Sequence, residues 1–164
     1  MKRDYYLFII PALIIVFIDQ ASKWLAFNLL KPNQIYPVLP DFFNLVLVKN
    51  KGMAFGILNQ SRAGFFFYFL LATTIAAVGA VIFFFFRIKG NQKWLTAGLS
   101  LILGGALGNL IDRLRLGYVI DFLDFFVKSY HWPAFNIADS AITVGTVWLM
   151  LNILSGNKLT EDKR

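Results

Sequence analysis

Four apolar stretches organise the chain. The first runs from about Tyr5 to Leu30 and is interrupted by Asp19 and Lys23. The second, Gly64 to Phe86, and the third, Trp94 to Ile111, carry no charge, and the fourth, about Ala134 to Leu154, carries one, Asp139. A spanning helix needs ~20 predominantly apolar residues, with a range of roughly 17–25. The pattern therefore predicts one integral-membrane domain over 1–164, with transmembrane helices at about 5–28, 64–86, 94–111 and 135–154. Two further segments, about 31–63 and 112–134, join the spans at one end. In the first, Pro37 and Pro40 precede Phe42–Val48, rich in Phe, Val and Leu, which reads as a short strand or hairpin at the membrane surface. The second mixes acids with Phe122, Phe125, Phe126 and Trp132 and reads as a short amphipathic lid helix or a loop resting on lipid. The expected class is an all-α membrane protein carrying a small extracytoplasmic β element.

Composition agrees with this reading. Hydrophobic residues make up 58% and charged residues 15%, against about half and about a quarter in soluble domains. The 18 Phe suit a lipid-facing surface, and the run Phe83–Phe86 reads as lipid-facing bulk. Cysteine is absent, which excludes disulfides, thiol nucleophiles and Cys-zinc sites. A single histidine, His131, excludes a multi-His metal site and reads as a surface residue. Trp24, Trp94, Trp132 and Trp148 read as interface anchors.

Four spans put both termini and the loop after Phe86 on one side. Lys2, Arg3, Arg87, Lys89, Lys93, Lys158, Lys163 and Arg164 lie there, half of the 16 basic residues. The count alone is a tie. Those segments are short and dense in charge, however, and charge in short loops sets orientation. Both termini are expected in the cytoplasm, and the net charge of +7 then needs no nucleic-acid partner. Lys2 and Arg3 before an apolar run resemble a signal peptide, but three further spans follow and no small-residue cleavage site is evident.

The nine carboxylates divide unevenly. Asp4, Glu161 and Asp162 fall on the side of the termini, and Asp19, Asp41, Asp112, Asp121, Asp124 and Asp139 fall toward the opposite end. Ionisable groups at membrane depth are costly and face the protein interior, so Asp19, Asp112, Asp121 and Asp139 suggest a polar pocket. Asp19 and Lys23 are spaced i,i+4 and can pair, chiefly as a structural anchor. Asn109 shares a helix face with Asp112 and Arg113. Asn136, at i−3 from Asp139, either points into the bundle or caps the last span. Gly104 and Gly108 form a Gly-x-x-x-Gly pair that reads as close helix packing.

Asp121 and Asp139 are the sharpest pair. Both are flanked by apolar residues, and low polarity disfavours two adjacent charged carboxylates, so one keeps its proton near neutral pH. Such a dyad can hydrolyse an amide: the charged member takes a proton from water while the protonated member donates to the carbonyl oxygen. Ion binding or simple helix capping would equally place aspartates there.

Five motifs resemble those of the lipoprotein signal peptidases (signal peptidase II), in the family's order and across nearly the whole chain. Asp19-Gln20-Ala21-Ser22-Lys23 resembles D-Q-x-S/T-K, and Asn50-Lys51-Gly52-Met53-Ala54-Phe55-Gly56 resembles N-x-G-x-A-F/W-G/S. Gly104-Gly105-Ala106-Leu107-Gly108-Asn109-Leu110-Ile111-Asp112-Arg113 resembles G-x-x-G-N-x-x-D-R, Val119-Ile120-Asp121-Phe122 resembles V-I/V-D-F, and Phe135-Asn136-Ile137-Ala138-Asp139-Ser140 resembles F-N-I/V-A-D-S/A. The resemblance implies an aspartic endopeptidase of the bacterial inner membrane that removes signal peptides from prolipoproteins, cutting before a diacylglyceryl-modified cysteine. It implies Asp121 and Asp139 as the catalytic dyad. It implies Asn50, Gly52, Asn109, Arg113, Asn136 and Ala138 as site-lining or substrate-binding, with Asp19, Lys23 and Asp112 in support. No cofactor or metal is implied; the expected partners are the prolipoprotein and membrane lipid, and the oligomeric state is open, with a monomer the first expectation. The main competing reading is a cation transporter or channel using the embedded aspartates. A Ser-Lys hydrolase built on Ser22 or Ser140 ranks lower, because adjacent Ser22 and Lys23 do not face each other on a helix.

Overall fold

The structure, a computed structural model, describes residues 4–52, 60–88 and 92–154. Met53–Gly56, the second half of the Asn50 motif, lies outside the described residues, as do the charged termini and Lys89. Four helices are long and apolar enough to cross a membrane: α1 (Tyr5–Leu29), α2 (Gln60–Arg87), α3 (Lys93–Leu116) and α4 (Ile137–Leu154). Between them lie β1 (Tyr36–Leu39), β2 (Phe43–Asn50), β3 (Val119–Val127) and β4 (Tyr130–His131). These form one antiparallel sheet in the order β1-β2-β3-β4.

Helix α3 is the central element. Its glycines let neighbouring backbones approach closely, the bland role expected of the Gly104/Gly108 pair. A Cβ on Gly104 would sit 2.7 Å from Ile15 Cβ and 2.8 Å from the Ala12 carbonyl of α1, and one on Gly145 of α4 would sit 2.8 Å from the Gly98 carbonyl. At Gly108 a Cβ would lie 2.5 Å from Asp19 Oδ2 and 3.3 Å from Ala138 Cβ. The helix therefore packs α1 on one side and α4 on the other. At the end that holds the termini, Phe8, Ala12, Val81, Phe85, Leu99 and Leu103 form the buried apolar cluster. Phe85 stacks on Phe8 at 3.9 Å between ring centroids, so one member of the Phe83–Phe86 run is core, while Phe83, Phe84 and Phe86 face outward.

The β1–β2 hairpin forms where Pro37 and Pro40 suggested it. Phe42 N–H donates to the Leu39 carbonyl at 3.2 Å across a turn with Pro40 second and Asp41 third, at φ 59°. Proline in the second position and a positive φ in the third are features of a type II turn, here with Asp41 where glycine is usual. Two readings of the second connecting segment need correction. Helix α3 does not stop at Ile111 but runs on past Asp112 to Leu116, closed by Gly117 at φ 77°. After it, 119–127 is a strand, not an amphipathic lid helix or a loop. β3 pairs with β2 in the register Asn44↔Asp124, Leu45↔Leu123, then Val48↔Asp121 and Asn50↔Val119, with an irregularity between Leu45 and Val48. Its first four residues are all buried, which removes the alternation that marks a strand in sequence. Phe135 then exchanges backbone hydrogen bonds with Leu123 (2.9 and 3.1 Å), pinning the entrance of α4 to the middle of β3.

Candidate active site

The strand and helix placements bring Asp121 on β3 and Asp139 in the first turn of α4 to one buried amide network. Asp121 is 1% exposed. Its Oδ1 accepts from Asn136 Nδ2 at 2.7 Å, and its Oδ2 accepts from Asn50 Nδ2 at 2.8 Å. Asp139 Oδ1 accepts from Asn109 Nδ2 at 2.8 Å. Asn136 joins the two halves. Its Oδ1 accepts from the Asp139 backbone N–H at 3.0 Å, while Asp139 Oδ2 faces the Asn136 backbone N–H at 3.3 Å. This is the reciprocal geometry of a capping box. Asn136 therefore does both things its position allowed: the carbonyl end of its side chain caps α4 and the amino end holds Asp121.

An asparagine amide orients a carboxylate only if its own orientation is fixed. At Asn50 the backbone does this. Gly52 N–H donates to Asn50 Oδ1 at 2.7 Å, which turns Nδ2 toward Asp121. Gly52 holds φ +76°, a conformation glycine adopts without strain, and any Cβ there would run into Leu70 of α2. That accounts for Asn-x-Gly in physical terms. At Asn109 a cation and a second amide do it: Lys23 Nζ donates to Asn109 Oδ1 at 3.0 Å and Asn136 Nδ2 donates to the same oxygen at 3.2 Å, turning Asn109 Nδ2 toward Asp139.

Lys23 is the hub of the support. It is 2% exposed, and its three N–H bonds meet three acceptors: Asn109 Oδ1, Asp19 Oδ2 at 2.8 Å and Asp112 Oδ2 at 3.1 Å. A buried charge is tolerable only when paired and fully hydrogen-bonded, and here it is. The two carboxylates reach further. Asp19 Oδ1 accepts from the Ala138 backbone N–H at 2.9 Å, and Asp112 Oδ2 accepts from the Ile120 backbone N–H at 3.1 Å. Ala138 immediately precedes Asp139, and Ile120 immediately precedes Asp121. Each arm of the ion triad thus clamps the backbone one residue before a dyad member. Asp19 also places negative charge at the N-terminus of α4, where the helix dipole favours it. Ala138, fully buried, fills the space that Gly108 leaves open.

Burial pushes the Asp121 carboxyl up to about 6, and the neighbouring charge of Asp139 adds to that; the hydrogen bonds from Asn50 and Asn136 pull the other way. Arg113 sits within electrostatic reach of both Asp139 and Asp121, and its Nη1 donates to Thr74 Oγ1 at 3.1 Å. Among the described residues no group of three or more acidic or histidine side chains is arranged to hold a metal ion.

All eleven expected site residues belong to this region, and two partners escaped the sequence. Gln20 Nε2 reaches Asp112 Oδ1 at 2.9 Å and Asp19 Oδ2 at 3.2 Å; its adjacency to Asp19 was the available signal. Thr74, which lies within a charge-free span, offers no signal beyond being a hydroxyl among apolar residues. Asp124 forms a separate group, accepting from Asn44 Nδ2 at 2.9 Å with His131 Nδ1 at 2.8 Å, so His131 is tied to the sheet.

Comparison with known proteins shows the family. The profile of the family described as signal peptidase (SPase) II matches residues 11–155. A lipoprotein signal peptidase of Geobacter metallireducens is 44% identical over 154 residues, covering 94% of each chain. One of Syntrophotalea carbinolica is 45% identical, covering 90% of this chain and 91% of its own. Two solved structures, each described as a bacterial membrane enzyme, superpose with TM-scores of 0.77 and 0.78 at 31% and 32% identity. They cover 94% and 90% of this chain, and 92% of each of their own. A four-helix membrane chain, matched along nearly its whole length by sequence and by fold, belongs to the signal peptidase II family of lipoprotein-processing peptidases.

Proposed function

We propose that this chain cuts the signal peptide from diacylglyceryl-modified prolipoproteins, just before the lipidated cysteine, by water activated between Asp121 and Asp139. The observation that carries this is the shared amide frame: Asn136 and Asn109 hold the two carboxyls as one unit. Burial beside a second carboxylate lifts the Asp121 proton affinity toward neutrality. One carboxyl of such a pair keeps a proton while the other is charged, and the two titrate as a pair. The charged member takes a proton from water as the water oxygen attacks the scissile carbonyl. The protonated member donates to the carbonyl oxygen, and collapse of the tetrahedral intermediate sends a proton to the leaving amine. Which aspartate begins charged is left to the pair.

Arg113, tethered to Thr74, is positioned to hold a substrate carbonyl. Asn50 already gives one N–H to Asp121 and keeps the other for the peptide. A lipid-anchored substrate places the scissile bond at membrane level, which suits a site at the junction of spans and sheet. We place that junction at the outer face and both termini in the cytoplasm, from the density of basic residues in the short segments at the opposite end. The transporter reading is not favoured, since family, fold and motifs all coincide on a peptidase.

The test is a cleavage assay in detergent with a diacylglyceryl prolipoprotein, comparing the native chain with Asp121→Asn and Asp139→Asn. Cutting before the lipidated cysteine by the native chain and by neither variant is expected. Cleavage surviving in either variant overturns the dyad.

A further inference from the structure

A cavity of about 300 Å³ opens between α1 and α3 on the outward surface of the bundle, away from the dyad. Its inner wall is Gln20 with Lys23 and Asp112, two members of the ion triad, and its mouth is framed by Trp24, Phe27 and Arg115. None of Asp121, Asp139, Asn50 or Asn136 lines it, so it is distinct from the dyad. Its volume is about ten times a water molecule's share of the liquid, and it has no role in the chemistry above.

Its chemistry is graded. Trp24 is 66% exposed and Phe27 45%, on the outward surface of α1 and near its end, where amphipathic aromatics mark the membrane–water interface. Arg115 is exposed in the last turn of α3 and makes no hydrogen bond or ion pair to any described residue. Lys49 of β2 stands 5.5 Å from the ring centroids of both Phe27 and Tyr118, which adds a second cation beside the mouth. The opposing charges are accounted for: Asp112 and Asp19 are taken up by Lys23, Gln20 and two backbone N–H groups. The attraction at the mouth therefore comes from Arg115 and Lys49. The planar Arg115 guanidinium matches a phosphate with two free oxygens, and Lys49, over the Phe27 ring that lines the mouth, adds positive charge nearby. The aromatic and aliphatic rim, with Leu116, suits the glycerol and upper acyl carbons below that phosphate.

We propose that this cavity binds the phosphate headgroup of an anionic membrane phospholipid. The lipid would enter sideways from the bilayer, and its phosphate would sit at the level of Arg115, against the back of the network that orients Asn109.

The test is native mass spectrometry of the delipidated full chain in detergent, titrated with phosphatidylglycerol or, separately, phosphatidylcholine. One phosphatidylglycerol is expected to bind in preference to phosphatidylcholine. Arg115→Gln is expected to weaken that first binding about tenfold, the loss of one charge-assisted hydrogen bond. Arg115→Lys should fall in between, and Lys49→Gln should weaken it less. Both side chains are exposed and outside the dyad, so cleavage by each variant reports an intact fold. Competition by soluble glycerol phosphate against phosphatidylglycerol would support phosphate as the recognised group. Equal binding of the two lipids, an unchanged preference in Arg115→Gln, or binding of glycerol phosphate with no lipid preference would overturn the proposal.

Discussion

Replacing Lys23 by methionine keeps an unbranched apolar stem one atom shorter and removes its charge. In the native chain three acceptors converge on Lys23 Nζ within 3.1 Å, and Asp19 and Asp112 are 0% and 3% exposed. The variant leaves two carboxylates buried with no cation between them. Removing one partner of a buried ion pair costs about 3–5 kcal/mol. At about 2–4 °C per kcal/mol for a chain of this size, the unfolding midpoint should fall by roughly 6–20 °C. The same change frees Asn109. Without Lys23, Asn109 Oδ1 keeps only the longer hydrogen bond from Asn136 Nδ2, at 3.2 Å, and Nδ2 is held less firmly toward Asp139. Loss of that hydrogen bond to a charged group should lower kcat/KM by roughly one to two powers of ten. Thermal unfolding in detergent, read by tryptophan fluorescence, and cleavage of a lipidated prolipoprotein measure the two effects. The double variant Lys23→Met with Asp112→Asn supplies the control, because it removes one of the two stranded charges. It should unfold at a higher temperature than the single variant. A single variant within about 2 °C of native, or a double variant less stable than the single, would refute the argument that Lys23 holds this frame together.

Other expectations follow from the same contacts. With the Asp121 carboxyl at about 6 against 3.8 when free, its proton is held more tightly in the folded chain. Its contribution to stability is therefore complete below about pH 4 and lost as pH rises through 6, about 3 kcal/mol in all. Asp121→Asn should remove that slope in pH-dependent unfolding, and identical slopes in native and variant would contradict the burial argument. Cleavage by the native chain should decline as pH rises above about 6, since the dyad then loses its shared proton; a profile flat from pH 5 to 8 would count against it. Gly108→Ala would drive a methyl to 2.5 Å from Asp19 Oδ2 and should destabilise the chain by about 1–3 kcal/mol, while Gly64→Ala, which meets nothing within 4 Å, should not. Thr74→Val removes the acceptor of Arg113 and should raise KM more than it lowers kcat, if Arg113 holds substrate rather than the reacting atoms.

The spans were legible because lipid imposes its pattern on every exposed side chain, and the ends of the hairpin because prolines punctuate the sheet. Strand β3 was not, for a physical reason: Val119, Ile120, Asp121 and Phe122 are all buried, so hydrophobicity does not alternate along it. Its partner β2 also lies far away in sequence, from Asn50↔Val119 to Phe43↔Phe125 in the register, a pairing no local window contains. The end of α3 is not legible because Asp112 and Arg113 look like a helix leaving the membrane, whereas Asp112 is buried against Lys23 and the helix continues to a left-handed Gly117. Phe85 looked like its neighbours and is distinguished only by Phe8 lying against it.

The candidate site was legible as a set of residues and illegible as a mechanism of support. Spacing gave the Asp19–Lys23 pair, but it could not show that Asp19 reaches the backbone of Ala138 or Asp112 that of Ile120. Those two hydrogen bonds explain why an ion triad belongs here at all. A buried charge cluster is a poor way to stabilise a fold, since a packed apolar core of equal volume does as well or better. Carboxylates, unlike leucines, hold backbone N–H groups in fixed directions. One N–H lies just before each member of the dyad, on two elements that share no turn or helix. The triad is therefore best understood as the device that ties the start of β3 to the start of α4. The cost of burying its charges is exchanged for registration of Asp121 against Asp139.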